Sequence, residues 1–206
     1  MEAALDAGAA LFNEGYHHAA HDAWEDRWLG LANGSADERF LHGLIQYTAA
    51  VYHAKRRNWE GAIGLAESAT GYLHGLAKCH RGVDLAVIRT YLESLAVDPV
   101  TIERRTPPPI RIDGRVVTFE ELEFEGVAIA AGILAEELTS YEPALIERAI
   151  EMAASAEDER YNALLRDFLL VEDRRELIYD RLRAHLERDQ TRYSDPAGLF
   201  DTDQSS

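Results

Sequence analysis

The stretch FNEGYHHAAHDAWEDRW (Phe12–Trp28), followed after a polar break by FLHGLIQYTAAVYHAKRRNWEGA (Phe40–Ala62), decides the fold. Tyr16, Ala20, Trp24, Trp28 and Leu31 recur at helical spacing, which predicts a helix from about Tyr16 to Leu31 with one buried stripe. Ala32-Asn33-Gly34-Ser35 reads as a turn. Asp37 is the expected cap of a third helix, whose core face is Leu41, Leu44, Ile45, Thr48, Val51 and Tyr52 and which runs to Lys55. Upstream, the alanine- and leucine-rich residues 2–12 predict a first helix that stops at Asn13-Glu14-Gly15. Downstream, Asn58 opens a fourth helix to about Lys78. After Arg81-Gly82 a fifth runs from Asp84 to Val97, where Asp98-Pro99 ends it. Residues 1–97 are expected to form a five-helix bundle.

The pattern changes over residues 98–117. Pro107-Pro108-Pro109 is stiff and extended, and IRIDGRVV alternates around Asp113-Gly114, which predicts a β-hairpin near residues 109–117. A lone two-stranded ribbon is marginal, so it should lie on the helices. Thr118 and Glu121 form a capping box. Helical patterns follow from Leu122 to Leu138, Pro143 to Ala154, Glu157 to Leu170 and Glu172 to about Arg188. The expected class is all-α: a multi-helix bundle with one short β-hairpin, in which residues 98–206 form the hairpin and a C-terminal helical extension packed on the first part. The polar tail from Tyr193 to Ser206 carries an apolar island, Leu199-Phe200, that a homodimer or other homo-oligomer could bury.

Composition narrows the setting. A chain of 206 residues buries an adequate core without staples. The single cysteine, Cys79, can form neither an internal disulfide nor a thiolate cage, and no basic-then-apolar segment opens the sequence, so a cytoplasmic location is expected. The apolar run Val127–Ala135 falls far short of the roughly 20 residues that span a bilayer, so no membrane partner is expected. Net charge is -16, and 19 of the 21 basic side chains are arginine, leaving only Lys55 and Lys78. Such an acidic, lysine-poor composition is like that of halophilic proteins. It also disfavours nucleic acid, whose phosphates need clustered Lys and Arg; the pairs Arg56-Arg57 and Arg104-Arg105 are too small for that. Residues 1–97 hold 12 acids and 8 bases, and residues 98–206 hold 25 and 13. Seven of the eight histidines lie in the first part, which places groups that titrate near neutral pH there.

On the second helix His17, His21 and Glu25 recur every four residues; on the third, His42, Gln46 and His53 share a face. Antiparallel pairing about Gly34 brings together positions whose numbers sum to about 68. Glu25 then lies level with His42, His21 with Gln46, and His53 beside Tyr16. The expected small-molecule pocket therefore lies between these helices, lined by His21, Glu25, Gln46 and His53, with Trp24 or Tyr16 as its apolar wall. Imidazole and carboxylate at i,i+4 can share one ion, which makes His21, Glu25 and His53 candidate ligands of a divalent metal. The same ladder also fits a buried hydrogen-bond network that fixes helix packing. His18 and Asp22, one step round the helix, are read as solvent-facing. The sequence contains no G-x-S-x-G elbow, P-loop or dinucleotide fingerprint, and Cys79 has no neighbouring base. With no complete catalytic constellation, a non-enzymatic ligand-binding or protein-interaction module is the first reading. A metal-dependent or acid/base small-molecule hydrolase using the His/Glu pocket is the alternative, and an oligomeric structural protein the third.

The order Phe12-Asn13-x-Gly15, His21-Asp22-x-Trp24-Glu25-x-x-Trp28, Gly43-Leu44-Ile45-Gln46, His53 and Asn58-x-x-Gly61-Ala62 resembles the domain-of-unknown-function family 309 over about residues 8–75. Asp22 stands where its members usually have glutamate, and Ala19 where many have an acid. The resemblance implies a small all-helical protein with no established activity, and the long acidic form looks like the version found in halophilic archaea.

The excess charge generates a test. Salt screens self-repulsion, so the melting temperature should rise from low to molar ionic strength. Equal melting temperatures across that range would remove the halophilic reading.

Overall fold

The computed structural model describes residues 1–156 and 159–194. Its first part is a run of helices, each packed on the next: α1 (Glu2–Asn13), α2 (Ala19–Leu29), α3 (Ala36–Lys55), α4 (Trp59–Leu73) and α5 (Leu85–Val97). Small residues set the close approaches. A Cβ on Gly8 of α1 would fall 2.3 Å from the Trp24 indole, and one on Gly43 of α3 would fall 2.5 Å from Leu73 Cδ2. On α4, Ala62, Ala66 and Ala69 are wholly buried.

Local signals place most helix ends. At the end of α1, Tyr16 N–H bonds Leu11 O at 2.9 Å and Gly15 N–H bonds Phe12 O at 3.0 Å, with Gly15 at φ +95, a Schellman motif. Asn58 caps α4 by accepting from Gly61 N–H, and Asp84 caps α5 by accepting from Ala86 N–H. The cap of α3 is Ser35 rather than Asp37: Ser35 Oγ accepts from Glu38 N–H at 3.1 Å. Asp37 is drawn away by a longer-range partner, the Arg81 guanidinium, whose Nε–H donates to it at 2.7 Å. That pair, with His80 Nε2 at 2.9 Å, holds the Asp37 carboxyl well below its usual range, at about 2.

Arg81 belongs to a second hairpin that the sequence pattern does not announce. β1 (Cys79–His80) and β2 (Val83–Asp84) turn at Arg81 and Gly82, with φ of 48 and 79. β3 (Arg111–Ile112) and β4 (Arg115–Val116) turn at Asp113 and Gly114, with φ of 51 and 80, inside the expected range. Two successive positive φ values are the mark of tight hairpin turns. Val83 pairs with Ile112, joining the hairpins into one antiparallel sheet in the order β1-β2-β3-β4. The first hairpin also shortens α4, which stops at Leu73 instead of Lys78; Arg89 Nη2 donates to the freed Leu73 and Leu76 carbonyls at 2.8 and 2.9 Å.

After the short α6 (Thr101–Arg104), the extended Pro107–Pro109 segment lies on the bundle. Tyr47 O–H donates to Pro108 O, and the Asn13 side chain donates to Ile110 O and Val117 O while accepting from Ile110 N–H. The Thr118–Glu121 capping box forms on a 3-10 turn, Phe119–Glu121. The chain continues in α7 (Phe124–Glu137), α8 (Pro143–Ala156), α9 (Glu159–Leu170) and α10 (Arg175–Ser194). α7 packs on α1 and α2 and also on α8 and α9, so one apolar core runs from Leu5 through Val127 and Leu134 to Leu186. No described helix is long and apolar enough to cross a membrane. The island Leu199-Phe200 lies outside the described residues.

The contact between α1 and α2 predicts the cost of closing it. Gly8→Ala should destabilise the fold by roughly 1–3 kcal/mol in urea denaturation, as overpacked cores do. Gly64→Ala on α4, where a Cβ meets nothing within 4 Å, should be neutral or stabilising. Equal midpoints for the two variants would disprove the Trp24–Gly8 contact.

Candidate functional site

The start of α2 gathers three histidines in different environments. His17 is 8% exposed and packs edge-on against Phe12, with its Nδ1 hydrogen-bonded to Gly15 O. Burial, with the Lys55 charge second, pushes this imidazole down to about 4, so it stays neutral. His18 turns outward and is exposed, as its position one step round the helix predicts, yet it has partners. Its Nδ1 lies 2.8 Å from Glu137 Oε2 at the end of α7, and its ring lies 5.0 Å from those of both His21 and Tyr52. His21 hydrogen-bonds the His18 carbonyl through Nδ1 and sits 2.8 Å from Asp22 Oδ1 through Nε2. The Asp22 hydrogen bond is the main reason the His21 imidazole is raised above its ordinary value; burial works against it and the field of Glu25 adds a little.

From Tyr52 the chain of rings continues along α3. His53 lies 5.6 Å from Tyr52, and Asn58 Nδ2–H donates to His53 Nδ1 at 2.7 Å while its Oδ1 caps α4. The Arg56 guanidinium sits 4.6 Å over the Tyr52 ring. His21, His18, Tyr52 and His53 thus form one ring-to-ring path from the start of α2 to the end of α3.

The six residues expected to line one pocket are distributed among several environments. His21 and His53 stand at the two ends of that path. Trp24 is wholly buried against Gly8 on α1, and its Nε1 has no hydrogen-bond partner among the described residues. Tyr16 precedes α2 and turns to the later helices: its hydroxyl accepts from Arg175 Nη2 at 3.1 Å, and it lines a cavity of about 360 Å³ with Glu14, Phe119 and Leu169. Gln46 is half-buried on α3, with no side-chain hydrogen bond or ion pair among the described residues. Glu25 is exposed and faces α7. The reason is register and crowding. Trp28 meets His42 at 4.5 Å and His18 meets Tyr52, pairs about two positions off the expected level matching, and α2 has α1 and α7 as neighbours besides α3. His42 pairs with Glu38 at 3.6 Å and stacks on Tyr72 at 3.7 Å, not with Glu25. Trp28 Nε1–H and Gly34 N–H both donate to the Glu38 carboxylate, which the Trp28 bond holds below its ordinary range. That group ties the α2–α3 turn together.

Two features could take a ligand. One is the set His18, His21 and Asp22, each of which offers one possible ligand atom within 4.8 Å of those of the other two. Of the three residues singled out in the sequence as metal ligands it contains only His21, and it adds the two read as solvent-facing. The i,i+3 and i,i+4 spacing of 18, 21 and 22 could have found it, but Glu137, over a hundred positions away, could not be read. The other is a cleft of about 600 Å³ between α2 and α7. Ala4, Ala23, Ala128, Ile129 and Ile133 form its apolar floor, and Asp22, Glu25, Asp26 and Glu136 line it against the single cation Arg27.

The model of the family described as Domain of unknown function (DUF309) matches residues 5–65, which span α1 to the middle of α4. No curated protein matches the chain.

His17 supplies a pH test. The unfolded chain takes up its proton near pH 6.5 and the folded chain only near 4, so the unfolded state binds more protons between them and stability falls as pH drops through that window. His17→Phe keeps the ring against Phe12 and removes the titration. Its stability loss between pH 7.5 and 4.5, from denaturant midpoints, should be smaller than the parent's by about 2 kcal/mol. Parallel curves would refute the buried neutral imidazole.

Proposed function

We propose that the protein is a non-enzymatic ligand-binding module, and that its ligand is an organic cation with an aliphatic body, held in the cleft between α2 and α7. The observation that carries this reading is the pairing of an apolar floor with unmatched charge. The Glu25, Asp26 and Glu136 carboxylates have no Lys or Arg partner among the described residues. An aliphatic polyamine matches both properties, because its methylenes cover the floor while its ammonium groups meet the carboxylates. Recognition of this kind uses area and charge and needs no reacting group.

Calorimetry with spermidine and with 1,8-octanediol at moderate salt tests it. Spermidine should bind and the uncharged diol should not. Glu25→Gln combined with Glu136→Gln should weaken spermidine about tenfold, equivalent to about 1.4 kcal/mol. Glu120→Gln combined with Glu172→Gln, on another face with the same change in net charge, should leave the affinity unchanged. Equal weakening by both double variants would reduce the effect to overall charge and sink the cleft.

A further inference from the structure

Several histidines in the described residues face a carboxylate, and their surroundings differ in what they leave open. Asp37, which faces His80, is already neutralised by Arg81. Glu38, which faces His42, accepts from Trp28 and Gly34. At the start of α2 two imidazoles and the Asp22 carboxylate converge with no Arg, Lys or indole donor on Asp22 among the described residues.

The hydrogen bonds around this group decide which atoms remain to bind. His18 Nδ1–H donates to Glu137, leaving the lone pair on Nε2. His21 Nδ1 faces the His18 carbonyl, which can only accept, so Nδ1 carries a hydrogen and Nε2 is the nitrogen turned to the carboxylate. His21 Nε2 lies 2.8 Å from Asp22 Oδ1. A proton on Nε2 bridges the two as a hydrogen bond, and a divalent cation that takes the proton's place gains both the nitrogen lone pair and the carboxylate oxygen as ligands.

We propose that His18 Nε2, His21 Nε2 and an Asp22 carboxylate oxygen bind one divalent transition-metal ion of the zinc, nickel and copper class, with Glu137 as the carboxylate that orients His18. Imidazole selects these ions over magnesium and calcium, which prefer all-oxygen shells. Bonds of about 2.0–2.2 Å place ligand atoms roughly 3–3.5 Å apart. One possible ligand atom from each of the three residues already lies within 4.8 Å of the other two, on a partly exposed turn where side-chain rotation can close the group. Glu137 plays the part that carboxylates commonly play behind metal-bound histidines, fixing tautomer and ring plane. The Tyr52 and His21 rings, each 5.0 Å from His18, restrict that plane further. The remaining coordination positions open to water. This site stands whether or not the neighbouring cleft takes an amine.

The test is calorimetry of the metal-free full chain with Zn²⁺ and Ni²⁺ in molar KCl and excess Mg²⁺, conditions that saturate or screen plain surface carboxylates. One ion per chain should bind. His21→Ala and Asp22→Ala should each weaken it more than tenfold, and Glu137→Gln about tenfold. His53→Ala and His80→Ala should leave it unchanged. With Co²⁺ as probe, the visible bands of a nitrogen-ligated ion should disappear in His21→Ala. Far-UV circular dichroism and melting of the metal-free variants separate lost ligands from lost fold, and His18→Asn reports on His18 while keeping a residue that can cap α2. Parent affinity in a folded His21→Ala, a loss that follows His53 or His80 instead, or displacement by Mg²⁺ would each overturn the assignment.

Discussion

The insertion of Trp24 into the gap left by Gly8 is the contact on which the rest depends, because it fixes the rotation of α2 about its own axis. With the indole wholly buried toward α1, the helix has no freedom to choose which polar side chains it shows to its other neighbours. Trp28 is turned to Glu38 and His42 on α3, and Glu25 to the cleft beside α7. His18 lies where both α3 and α7 reach it, through Tyr52 and Glu137. The buried indole N–H without an acceptor is a cost, of the order of 1–3 kcal/mol for such a group, that the packing of the ring must offset. A contact retained at that cost is a strong constraint on helix rotation.

The parts of the fold legible in the sequence are those whose causes are local. Gly15 ending α1, Asn58 opening α4, the Thr118–Glu121 box and the Asp113-Gly114 turn each act within a few residues and lie where their chemistry places them. The parts that were not legible depend on partners far along the chain. Asp37 has the composition of a cap but is recruited by Arg81, leaving the cap to Ser35. β1 and β2 are two residues each, too short to show alternation, and are completed by Val83 pairing with Ile112. The placing of the candidate site residues depends on distant partners in the same way. Level matching of two helices treats α2 as having one polar face and one apolar face, whereas α7 supplies a third surface that no spacing within residues 12–62 could reveal.

The arrangement of cations explains why carboxylates are left exposed in the cleft. Several arginines are used inside the fold as multidentate caps. Arg89 donates to the carbonyls at the end of α4, and the buried Arg175 donates through Nε to Phe168 O at 2.8 Å at the end of α9 and through Nη2 to Tyr16. Both place positive charge where helix dipoles are negative, which is favourable without a carboxylate partner. The planar guanidinium suits this work better than an ammonium, since one group can satisfy several carbonyls in fixed directions. Cations spent on carbonyls are not available to neutralise acids. In a chain of net charge -16 the remaining carboxylates gather on surfaces such as the α2 face toward α7.

The proposed site is therefore composite in a specific sense. His18, His21, Asp22, Tyr52, His53 and Asn58 all lie within residues 5–65, the part matched by the family model, whereas Glu137 and the α7 wall of the cleft lie outside it. The matched part provides the imidazoles and the ring path that holds them. The later helix provides the carboxylate that meets His18 Nδ1, most of the apolar floor and the facing acid, Glu136. A chain consisting of the matched part alone would expose the α1 and α2 surfaces that α7 now covers and would lack the partner of His18 Nδ1. A ligand held at this face, as proposed, would read both parts of the chain at once, and the length of sequence between them keeps that juxtaposition from being visible in either.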